Sequence, residues 1–308
     1  MRAVAFTHFG AVPALTELPV PEPRSGEVLV RLRTSSVNGF DLGILDGNFK
    51  EVFEYEFPVV IGKDFAGVVT SIGDAVTSLA VGDEVFGVVM RPTLGQGGFA
   101  EYVAVGETYG IAALPEGLDH AQAGALGLAG TASLNAVDAL DPVAGETVLI
   151  SGATGGVGAY AIQFAAARGA TVIATAKPGA ETEFVTGLGA AHAVDHTDLE
   201  AQVRAIAPDG VHTALHFAGD GAAVAGLLAR GGRFASTVHF TPDEPAERDI
   251  KATTVMANPD QATLTRLAAD VITGRLQVPL TKVYPLAEAT QAIADFTSGT
   301  LGKLGIAI

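Results

Sequence analysis

The sequence predicts an α/β protein that combines a β-rich region with a doubly wound parallel sheet. Two observations indicate this fold class. Short strand-like segments broken by Gly and Pro fill residues 1 to about 115, and from Asp119 onwards apolar strands alternate with helices. Such alternation is typical of a parallel sheet with crossover helices. The length of 308 residues corresponds to about two domains of ~150 residues, so we expect each region to have its own core.

The β-rich region opens with the segment MRAVAF and continues, after the turn-rich VPEPRSG, with EVLVRLRTSSVN. In this last segment Val28, Val30 and Leu32 occupy alternate positions, and two of the residues between and after them are arginines. The alternation predicts a half-buried strand of an antiparallel barrel or sandwich. Further strands are predicted in DFAGVVTSIG, DEVFGVVM and FAEYVAV.

The second region begins with an Ala-rich helix, followed by a strand over Thr147–Ile150 and a helix from about Val157 to Arg168. Strands in TVIATA, HAVD, VHTALHFAG and RFASTVHF alternate with further helices, which gives the doubly wound pattern. After a helix near Gln261–Thr273, the end of the chain has a helix over Glu288–Phe296 and a final apolar strand, which we expect to pack on the first region. The stretch DEPAE around Pro245 is predicted to be a surface loop.

Composition and charge exclude several classes of function. The 18 Lys and Arg against 34 Asp and Glu give a net charge of −16, which repels phosphate backbones and anionic lipid headgroups, so neither nucleic acid nor membrane is an expected partner. The chain has no cysteine, which excludes disulfides, thiolate nucleophiles and cysteine-ligated zinc. Neither a signal-peptide core nor an apolar run of ~18 residues is present, and a soluble cytoplasmic protein is expected.

A glycine-rich turn, SGATGGVG, follows the strand that ends at Ile150 and opens a helix. Gly152, Gly155 and Gly158 give the spacing G-x-x-G-x-x-G. Glycines between a strand and a helix let the backbone approach a pyrophosphate, whose charge is met by N–H groups at the positive end of the helix. The alternative is a tight turn whose glycines serve packing alone. The strand–turn–helix context favours a dinucleotide site.

The end of the next strand indicates which dinucleotide is bound. An NAD site usually carries Asp or Glu about 20 residues after the glycines, where it binds the ribose 2′-hydroxyl. Here Lys177 stands 19 positions after Gly158. An ammonium group pairs with a 2′-phosphate, which a carboxylate would repel. The sequence therefore favours NADPH over NADH, the alternative being that Lys177 is an ordinary solvated lysine.

Eight motifs together resemble one family along nearly the whole chain. They are IGKDFAGVV, VGDEVFG, GGFAEYVAV, ALPEGL, LISGATGGVGAYAIQFA, LGAAHAVDH, YPLAEATQA and GKLGIAI. In this order they resemble the zinc-independent, zeta-crystallin-like quinone oxidoreductases of the medium-chain dehydrogenase/reductase superfamily. The resemblance implies a β-rich, GroES-like catalytic domain formed by residues 1–117 and 275–308. It implies a Rossmann-type NADP-binding domain over residues 118–274, with a cleft between the two.

The positions of the catalytic zinc ligands in zinc-dependent relatives carry other residues here. Asn38 stands in place of the cysteine, and Lys63 stands in place of the histidine in G-H-E. The lobe of four cysteines that binds structural zinc is absent as well. No metal ligand is therefore expected, zinc-dependent alcohol dehydrogenation is excluded, and hydrogen bonds must polarise the substrate.

The resemblance also implies which residues form the site. It implies Asn38 and Asp41 as catalytic residues, with the amide of Asn38 facing nicotinamide and substrate. A structural role in capping turns is the alternative for Asp41 and Asp64, and it is favoured for Asp64. With the glycine turn, the implied cofactor-binding residues are Asn38, Thr131, Gly152, Thr154, Gly155, Gly156, Val157, Lys177, His196, Ala218, Gly219, Val238 and Lys303.

Some of these positions depart from the family pattern. His196 stands where relatives commonly have a Tyr near the 2′-phosphate. The family Thr that contacts the nicotinamide amide corresponds to Ala132, and the flanking Thr131 and Ser133 are rotated by ~100° on a helix. Tyrosines that shape the quinone pocket of bacterial relatives fall near Gly43 and Phe49, which predicts a less polar substrate mouth.

The expected function is NADPH-dependent transfer of a hydride to a quinone or an α,β-unsaturated carbonyl compound, with a small-molecule electrophile as partner. An enoyl-thioester reductase is the first alternative, although Ala180 stands where such enzymes carry a lysine. A non-enzymatic NADPH-binding protein is the second. The resemblance implies a homodimer through the edge strand of the parallel sheet, and ATTVMA near Val255 is the candidate edge. His212 and His216 are more simply explained by packing than as metal ligands.

Overall fold

The computed structural model describes residues 1–243 and 248–308. The loop predicted around Pro245 lies largely outside these described residues. Strands dominate the first part of the chain, as the sequence predicts. Its elements are β1 (Arg2–Phe6), β2 (Ala14–Glu17), β3 (Glu27–Ser36), α1 (Gly39–Leu45), β4 (Glu54–Tyr55), β5 (Val59–Val60), β6 (Asp64–Ile72), β7 (Glu84–Val88), β8 (Thr93–Leu94), β9 (Tyr102–Gly106) and β10 (Ile111–Ala113).

Helices and strands alternate in the remainder. The three helices predicted with bounds begin and end within one or two residues of the observed ones, whereas the Ala-rich segment predicted as one helix is divided into two. The elements are α2 (His120–Ala123), α3 (Gly127–Leu140), β11 (Thr147–Ser151), α4 (Gly156–Ala167), β12 (Thr171–Thr175), α5 (Ala180–Gly187), β13 (His192–Val194), α6 (Leu199–Ile206), β14 (Val211–His216), α7 (Gly221–Ala225), β15 (Leu228–Ser236), β16 (Lys251–Thr254), α8 (Gln261–Ile272), β17 (Leu280–Pro285), α9 (Ala289–Thr297) and β18 (Lys303–Ala307).

The chain folds into two compact units. Unit 1 comprises Met1–Thr131, Pro259–Gly274 and Leu280–Ile308, and unit 2 comprises Ala132–Asn258 and Arg275–Pro279. Unit 1 takes in more of the chain than residues 1–117 and 275–308, because α2 packs on β3 and α8 packs on β10. The domain boundaries expected from the family resemblance stay a prediction.

Unit 1 is built on a sheet with the strand order β10-β7-β6-β3-β18-β17, and β9 also pairs with β3. Val28, Val30 and Leu32 of β3 are buried, as their alternation predicts. Leu29 is buried too, next to a register irregularity between β3 and β6. The final strand β18 runs antiparallel to β3, which confirms that the end of the chain packs on the first region.

A second, smaller sheet of unit 1 has the order β2-β1-β5. Its apolar side chains join those of α1, α9 and β18 in a core that includes Phe6, Val37, Ile44 and Ile293. Aromatic side chains from the segment between α1 and β4 pack against this core. The start of α1, which carries the candidate catalytic residues, is thereby fixed between two sheets.

Unit 2 contains a parallel sheet with the strand order β13-β12-β11-β14-β15-β16. Every neighbouring pair in this order is parallel, so the prediction of a doubly wound sheet is confirmed. The strand order changes direction between β11 and β14. In such sheets ligands bind outside the carboxyl ends of the strands, at the point where the order reverses.

Among the described residues, none of the helices combines the length and the apolar character that crossing a membrane requires.

Candidate active site

A group of polar side chains is buried in unit 1 where β3 ends and α1 begins. Ser36, Asn38, Asp41, Asp64 and Lys303 are each at most 7% exposed, and we call them the buried polar cluster. Asp64 opens β6 and Lys303 opens β18, the strands that flank β3 on its two sides. The sheet order therefore brings together residues from both ends of the chain.

Asp64 is the centre of this cluster. Its Oδ2 accepts hydrogen bonds from Ser36 Oγ (2.5 Å) and Asn38 Nδ2 (2.8 Å), and its Oδ1 accepts one from the backbone N–H of Leu128 (2.6 Å). Lys303 Nζ lies 3.4 Å from Oδ2. The sequence favours a structural role for Asp64, but as a cap of a turn. Its carboxylate instead stabilises a buried cation and an amide that lie far away in sequence.

The donors of Asn38 and Lys303 are all used within the cluster. Lys303 Nζ donates to the carbonyl of Val37 (2.9 Å), to Asn38 Oδ1 (2.6 Å) and to Asp64. Asn38 Nδ2 donates to Asp64 and, at 3.3 Å, to the carbonyl of Ser36. These bonds use the three donors of the ammonium and the two of the amide. Asn38 Oδ1 has two lone pairs and accepts one hydrogen bond, from Lys303, so its other lone pair remains for a ligand. The predicted contacts of Asn38 and Lys303 with the cofactor stay predictions.

Asp41 caps α1 from its third position. Its Oδ2 accepts the backbone N–H of Asn38 at 2.8 Å, as in one half of a capping box. Its Oδ1 is sealed from solvent and lacks a hydrogen-bond donor among the described residues. Burial raises the pKa of Asp41 to about 7, and the nearby Asp64 carboxylate acts in the same direction, while the Asn38 N–H and the lysines oppose them. Asp41 is thus able to gain and lose a proton near neutral pH.

Lys63 ends the chain segment that leads into β6 and is 8% exposed. Its Nζ lies 5.4 Å from the centroid of the Phe40 ring, and the part of the chain that the structure describes offers no hydrogen-bond acceptor to it. Burial lowers the pKa of Lys63 to about 8, against the attraction of Asp41 and Asp64. From the sequence, Lys63 marks only the loss of a metal ligand, and the free hydrogen-bonding capacity of its ammonium is a feature of the fold.

Aromatic rings lie beside Lys63. The rings of Phe40 and Phe49 are stacked with centroids 4.2 Å apart, and Phe53 meets Phe49 edge-on at 6.3 Å. We call these three residues the aromatic wall. A Cβ on Gly43 would lie 2.6 Å from the Phe49 ring, so the glycine is what lets this ring lie against α1. The prediction of a less polar surface near Gly43 and Phe49 agrees with these contacts.

The glycine turn of unit 2 lies between β11 and α4, at the carboxyl edge of the sheet. Gly152 has φ = +73° and its N–H donates to Thr175 Oγ1 at 3.1 Å. A Cβ on Gly158 would come within 2.3 Å of the Gly152 carbonyl oxygen, so that glycine is required for packing. A Cβ on Gly155 would meet that same oxygen at 3.5 Å, an ordinary contact.

Gly155 therefore has room that the folded chain does not use. It caps the N-terminus of α4 with φ = −75°, which any residue adopts. Thr154, Gly156 and Val157 beside it are all partly exposed. The first N–H groups of a helix lack intrahelical partners and favour an anion. Space, exposure and unpaired N–H groups coincide here, and they fit the pyrophosphate of a dinucleotide.

Lys177 and His196 occupy matching positions on neighbouring strands. Thr175 of β12 is paired with Val194 of β13, and each of the two residues follows its strand by two positions. Both side chains are exposed. The pKa of Asp195 is lowered mainly by the hydrogen bond from the Thr197 N–H, and His196 and Lys177 lower it further. His196 Nδ1 lies 3.5 Å from Asp195 Oδ1.

Carboxylates also lie near Lys177 and His196, which the sequence pattern at the end of β12 does not indicate. The Glu181 carboxylate accepts the backbone N–H of Lys177 at 2.8 Å. Asp195 is held by the N–H and hydroxyl of Thr197 at 2.9 and 3.0 Å. The edge thus carries both signs of charge, and the preference for a 2′-phosphate stays a prediction that depends on Lys177 and His196.

Ala218 and Gly219 follow β14 at the same edge of the sheet. The Ala218 carbonyl accepts a hydrogen bond from Ser151 Oγ at 2.5 Å. Gly219 has φ = +87°, the left-handed region that favours glycine. This turn is therefore fixed to the strand that precedes the glycine turn.

His216 connects the turns after β14 and β15. A carbonyl only accepts, so His216 Nε2–H donates to the Gly219 carbonyl at 3.1 Å, and Nδ1 accepts from Ser236 Oγ at 3.1 Å. Ser236 Oγ in turn accepts the N–H of Val238 at 3.2 Å. The imidazole is 3% exposed and fixes the backbone of two predicted cofactor-binding positions, a role that the sequence analysis described only as packing.

Ala132, the helix position that departs from the family pattern, lies between two buried hydroxyl groups. Thr131 Oγ1 is fully buried, and so is Ser133 Oγ, and no hydrogen-bond partner for either hydroxyl occurs among the described residues. Ala132 between them is 8% exposed. Successive helical residues are rotated by ~100°, so the more accessible position carries the methyl group. Cofactor binding by Thr131 stays a prediction.

Asn38 and Lys63, which stand at the positions of the catalytic zinc ligands of zinc-dependent relatives, do not fit a zinc ion. Asn38 has its donors bound to Asp64 and Ser36, and Lys63 places a cation where a ligand would have to stand. In residues 1–243 and 248–308, no group of three His, Cys, Asp or Glu is placed to hold a metal ion.

Comparisons with known proteins give matches along the chain. The family model of the alcohol dehydrogenase GroES-like domain matches residues 24–116. The family model of the zinc-binding dehydrogenase matches residues 188–304. The first covers the core strands of unit 1, and the second covers the later strands of unit 2 and the end of the chain.

Curated relatives are reductases and parts of larger synthases. The quinone oxidoreductase of Sus scrofa is 30% identical over an alignment that covers 99% of this chain and 97% of the relative. The 2-methylene-furan-3-one reductase of Solanum lycopersicum is 33% identical over 64% of this chain and 52% of its own length. A mycocerosic acid synthase-like polyketide synthase of Mycobacterium tuberculosis is 33% identical over 95% of this chain, which spans only 14% of that protein.

The solved structures include similar folds over the whole chain. The quinone oxidoreductase of Coxiella burnetii superposes with a TM-score of 0.90 and is 27% identical, covering 100% of this chain and 99% of its own. Its likeness extends over both the β-rich part and the parallel sheet of this protein.

Proposed function

This chain belongs to the quinone oxidoreductase family of the medium-chain dehydrogenase/reductase superfamily, and on that premise we propose that it reduces a conjugated carbonyl compound with NADPH. The acceptor is a quinone or an α,β-unsaturated ketone or aldehyde. The observation that carries the proposal is the open space at Gly155, beside the partly exposed start of α4. Folding of this chain does not need that space, and a dinucleotide pyrophosphate does.

The cofactor residues of this proposal lie at the carboxyl ends of successive parallel strands. The backbone of Gly152, Gly155 and Gly156 would receive the pyrophosphate, with Thr154 and Val157 beside it. Lys177 and His196 would meet the 2′-phosphate, and Ala218, Gly219 and Val238 would border the nicotinamide. NADPH supplies a hydride to the acceptor, and the cofactor carries that chemistry. Asn38, Thr131 and Lys303 complete the proposed contacts, and Asn38 and Asp41 are the proposed catalytic residues.

The acceptor class is supported by the relatives and by the aromatic wall. The names of the tomato and pig relatives refer to a conjugated furanone and to quinones. Flat conjugated rings stack on aromatic side chains, and Phe40 and Phe49 present such a stack in unit 1. A planar, uncharged electrophile is therefore the proposed substrate.

Titration with NADPH and NADH, followed by cofactor fluorescence, tests the proposal on the wild type and on Lys177→Ala. Because a charged hydrogen bond contributes about 1.5–3 kcal/mol, the wild type is expected to bind NADPH at least ~10-fold more tightly than NADH. The substitution is expected to remove most of this preference. Arg230→Ala is the matched control, since Arg230 is an exposed cation at the opposite end of β15. Failure of both cofactors to bind the wild type would contradict the function itself.

An enoyl-thioester reductase is the second candidate, and the polyketide synthase relative favours it. Ala180 opens α5 in this chain, at the position where the resemblance implies a lysine in such reductases. Comparing the rate with a free enone and with its thioester distinguishes the two reactions. A binding protein without activity would show NADPH affinity and no steady oxidation with either acceptor.

A homodimer and a cytoplasmic location belong to the same proposal. β16 is at the edge of the parallel sheet and all four of its residues are exposed. An edge strand has unpaired backbone groups that a second copy is able to satisfy. We expect light scattering to give the mass of two chains, and a monomeric mass would contradict the dimer.

A further inference from the structure

Lys63 is a buried cation that the proposed function has not used. We propose that the ammonium group of Lys63 binds the carbonyl oxygen of the acceptor and donates a proton to it. The inference rests on the proposed reduction of a conjugated carbonyl compound. It assigns to one side chain the polarisation that zinc-dependent relatives would obtain from a metal, and it names the proton donor.

The ammonium group of Lys63 has hydrogen-bonding capacity that the folded chain leaves free. A partly buried cation is stabilised by hydrogen-bond partners. Lys63 is 8% exposed, and no acceptor from the described residues is within hydrogen-bond distance of its Nζ. Lys303, only slightly more buried, has three partners. The difference between the two lysines is that Lys63, whose Nζ has the Phe40 ring as its neighbour, keeps N–H groups available to a ligand.

The side-chain donors of Asn38 and Lys303, which neighbour Lys63 in the fold, are already occupied. Both N–H groups of Asn38 are bound to Asp64 and Ser36, and the donors of Lys303 are bound as well. Asn38 is thus able to accept a hydrogen bond from a ligand but has none left to donate to a carbonyl oxygen. Among the described side chains of the buried polar cluster and its neighbours, the uncommitted N–H groups are those of Lys63.

Opposing electrostatic effects act on the ammonium group of Lys63. Asp41 and Asp64 face Lys63 and favour its charged form, whereas burial opposes it, and Lys303 compensates part of the charge of both carboxylates. The outcome is an ammonium whose pKa lies at about 8. A general acid is most effective when its pKa is close to the working pH. A lysine with the ordinary pKa of 10.5 would hold its proton too tightly to act as a general acid near neutral pH.

The aromatic wall gives the shape of the acceptor that this ammonium recognises. The Phe40 ring lies 5.4 Å from Nζ and is stacked on Phe49. A planar ring or enone lying against Phe40 would be able to point its oxygen at Lys63. Because the recognised group is a carbonyl oxygen joined to a flat conjugated system, we expect quinones and cyclic enones to be preferred over saturated carbonyl compounds.

The chemical step balances for an enone. The acceptor gains a hydride at its β carbon, which forms a C–H bond and breaks the C=C π bond as NADPH is oxidised to NADP⁺. The displaced electron pair moves through the α carbon to the carbonyl oxygen, and Lys63 transfers a proton to that oxygen. The resulting enol becomes the ketone by moving a proton from oxygen to the α carbon through water, and the neutral amine of Lys63 recovers a proton from solvent.

Binding of 4-nitrophenol tests the inference without turnover. Its anion is yellow, so absorbance reports the pKa of the bound phenol, with and without NADP⁺. The wild type is expected to lower this pKa by about one unit or more, because an ammonium stabilises a bound oxyanion. Lys63→Met should abolish the shift, and Lys63→Arg should retain it because arginine keeps the charge. Lys282→Met is the matched control, since Lys282 is an exposed lysine of unit 1.

The pH dependence of enone reduction separates charge from proton donation. Lys63 is protonated below its pKa of about 8, so kcat/KM of the wild type should fall as the pH rises through that value. Lys63→Met should lose ~100-fold or more in kcat/KM and should no longer show this fall. Lys63→Arg should bind the phenolate yet remain slow, because arginine does not release its proton.

Each result has a defined meaning. Retention of the phenol shift and of the alkaline fall in folded Lys63→Met, with a far-UV spectrum like that of the wild type, would overturn the role of Lys63. A wild type that leaves 4-nitrophenol unperturbed would overturn it also. A wild type that lowers the phenol pKa but binds neither NADPH nor NADH would instead contradict the proposed function, and the two failures are therefore distinguishable.

Discussion

Replacing Asp64 by alanine is expected to reduce the free energy of unfolding of unit 1 by about 3–5 kcal/mol, because it leaves the buried Lys303 ammonium without its anion. Asp64 is fully buried and Lys303 is 2% exposed. The substitution also removes the acceptor of Ser36, Asn38 and the Leu128 N–H. Asp64→Asn keeps an oxygen acceptor but not the charge, so we expect a smaller loss.

Urea unfolding followed by tyrosine fluorescence measures this loss. The chain has 5 Tyr and no Trp, and of these Tyr160 belongs to unit 2 while Tyr55, Tyr102, Tyr109 and Tyr284 belong to unit 1. The double variant Asp64→Asn with Lys303→Met should recover part of the stability, because removing both buried charges leaves neither unpaired. Asp64→Ala within ~0.5 kcal/mol of the wild type, the usual range of a surface substitution, would contradict this account of the cluster.

Replacing Gly155 by alanine is expected to leave stability almost unchanged while weakening dinucleotide binding by ~100-fold. The new Cβ meets protein atoms no closer than 3.5 Å, and φ is −75°, so the folded chain accommodates it. The methyl group would occupy the space proposed for the pyrophosphate. A loss of ~100-fold corresponds to about 2.7 kcal/mol of binding free energy.

Gly158→Ala provides the comparison for this experiment. Its Cβ would lie 2.3 Å from the Gly152 oxygen and 2.5 Å from Ala153 Cα, both backbone atoms. Overpacking of this kind costs about 1–3 kcal/mol, so we expect Gly158→Ala to lower the unfolding temperature and cofactor affinity together. Thermal unfolding measures the stability of both variants, and NADPH titration measures their cofactor affinity. Equal cofactor affinity of Gly155→Ala and wild type would show that the space at Gly155 is not the pyrophosphate site.

Local patterns in the sequence were sufficient to predict most of the fold. The alternation of apolar strands and helices predicts the parallel sheet of unit 2, and the glycine turn is where the strand–turn–helix context requires it. The strand around Val30 follows from alternation, although the burial of Leu29 does not, because a register irregularity is a property of two strands together. The family resemblance implied the β-rich type of unit 1, but its strand order was not predicted, since pairing between distant strands leaves no local pattern.

The sequence identified the members of the candidate site more readily than their interactions. Asn38, Asp41 and Lys303 were implied by the resemblance, but the hydrogen bonds that occupy Asn38 and Lys303 depend on a partner 265 residues away. Asp64 looked like a turn residue because its neighbours in sequence are strand residues. A role for Lys63 was not predicted, because the free donors of its ammonium depend on which groups surround it in the fold. The order of residues in the sequence does not show those surroundings.

The contact between Lys303 and Asn38 has a consequence for the order in which the chain folds. Contacts separated by so many residues form late, since a long loop must close before they contribute. During synthesis, the Ala132–Asn258 segment of unit 2 has emerged before β18 exists. Until β18 is made, the carboxylate of Asp64 lacks the Lys303 cation and the Thr34–Ser36 end of β3 lacks its β18 partner, although β6 and β9 are already available to pair with β3. Unit 1 is thus completed only after the Ala132–Asn258 segment has been made, although most of its strands precede that segment.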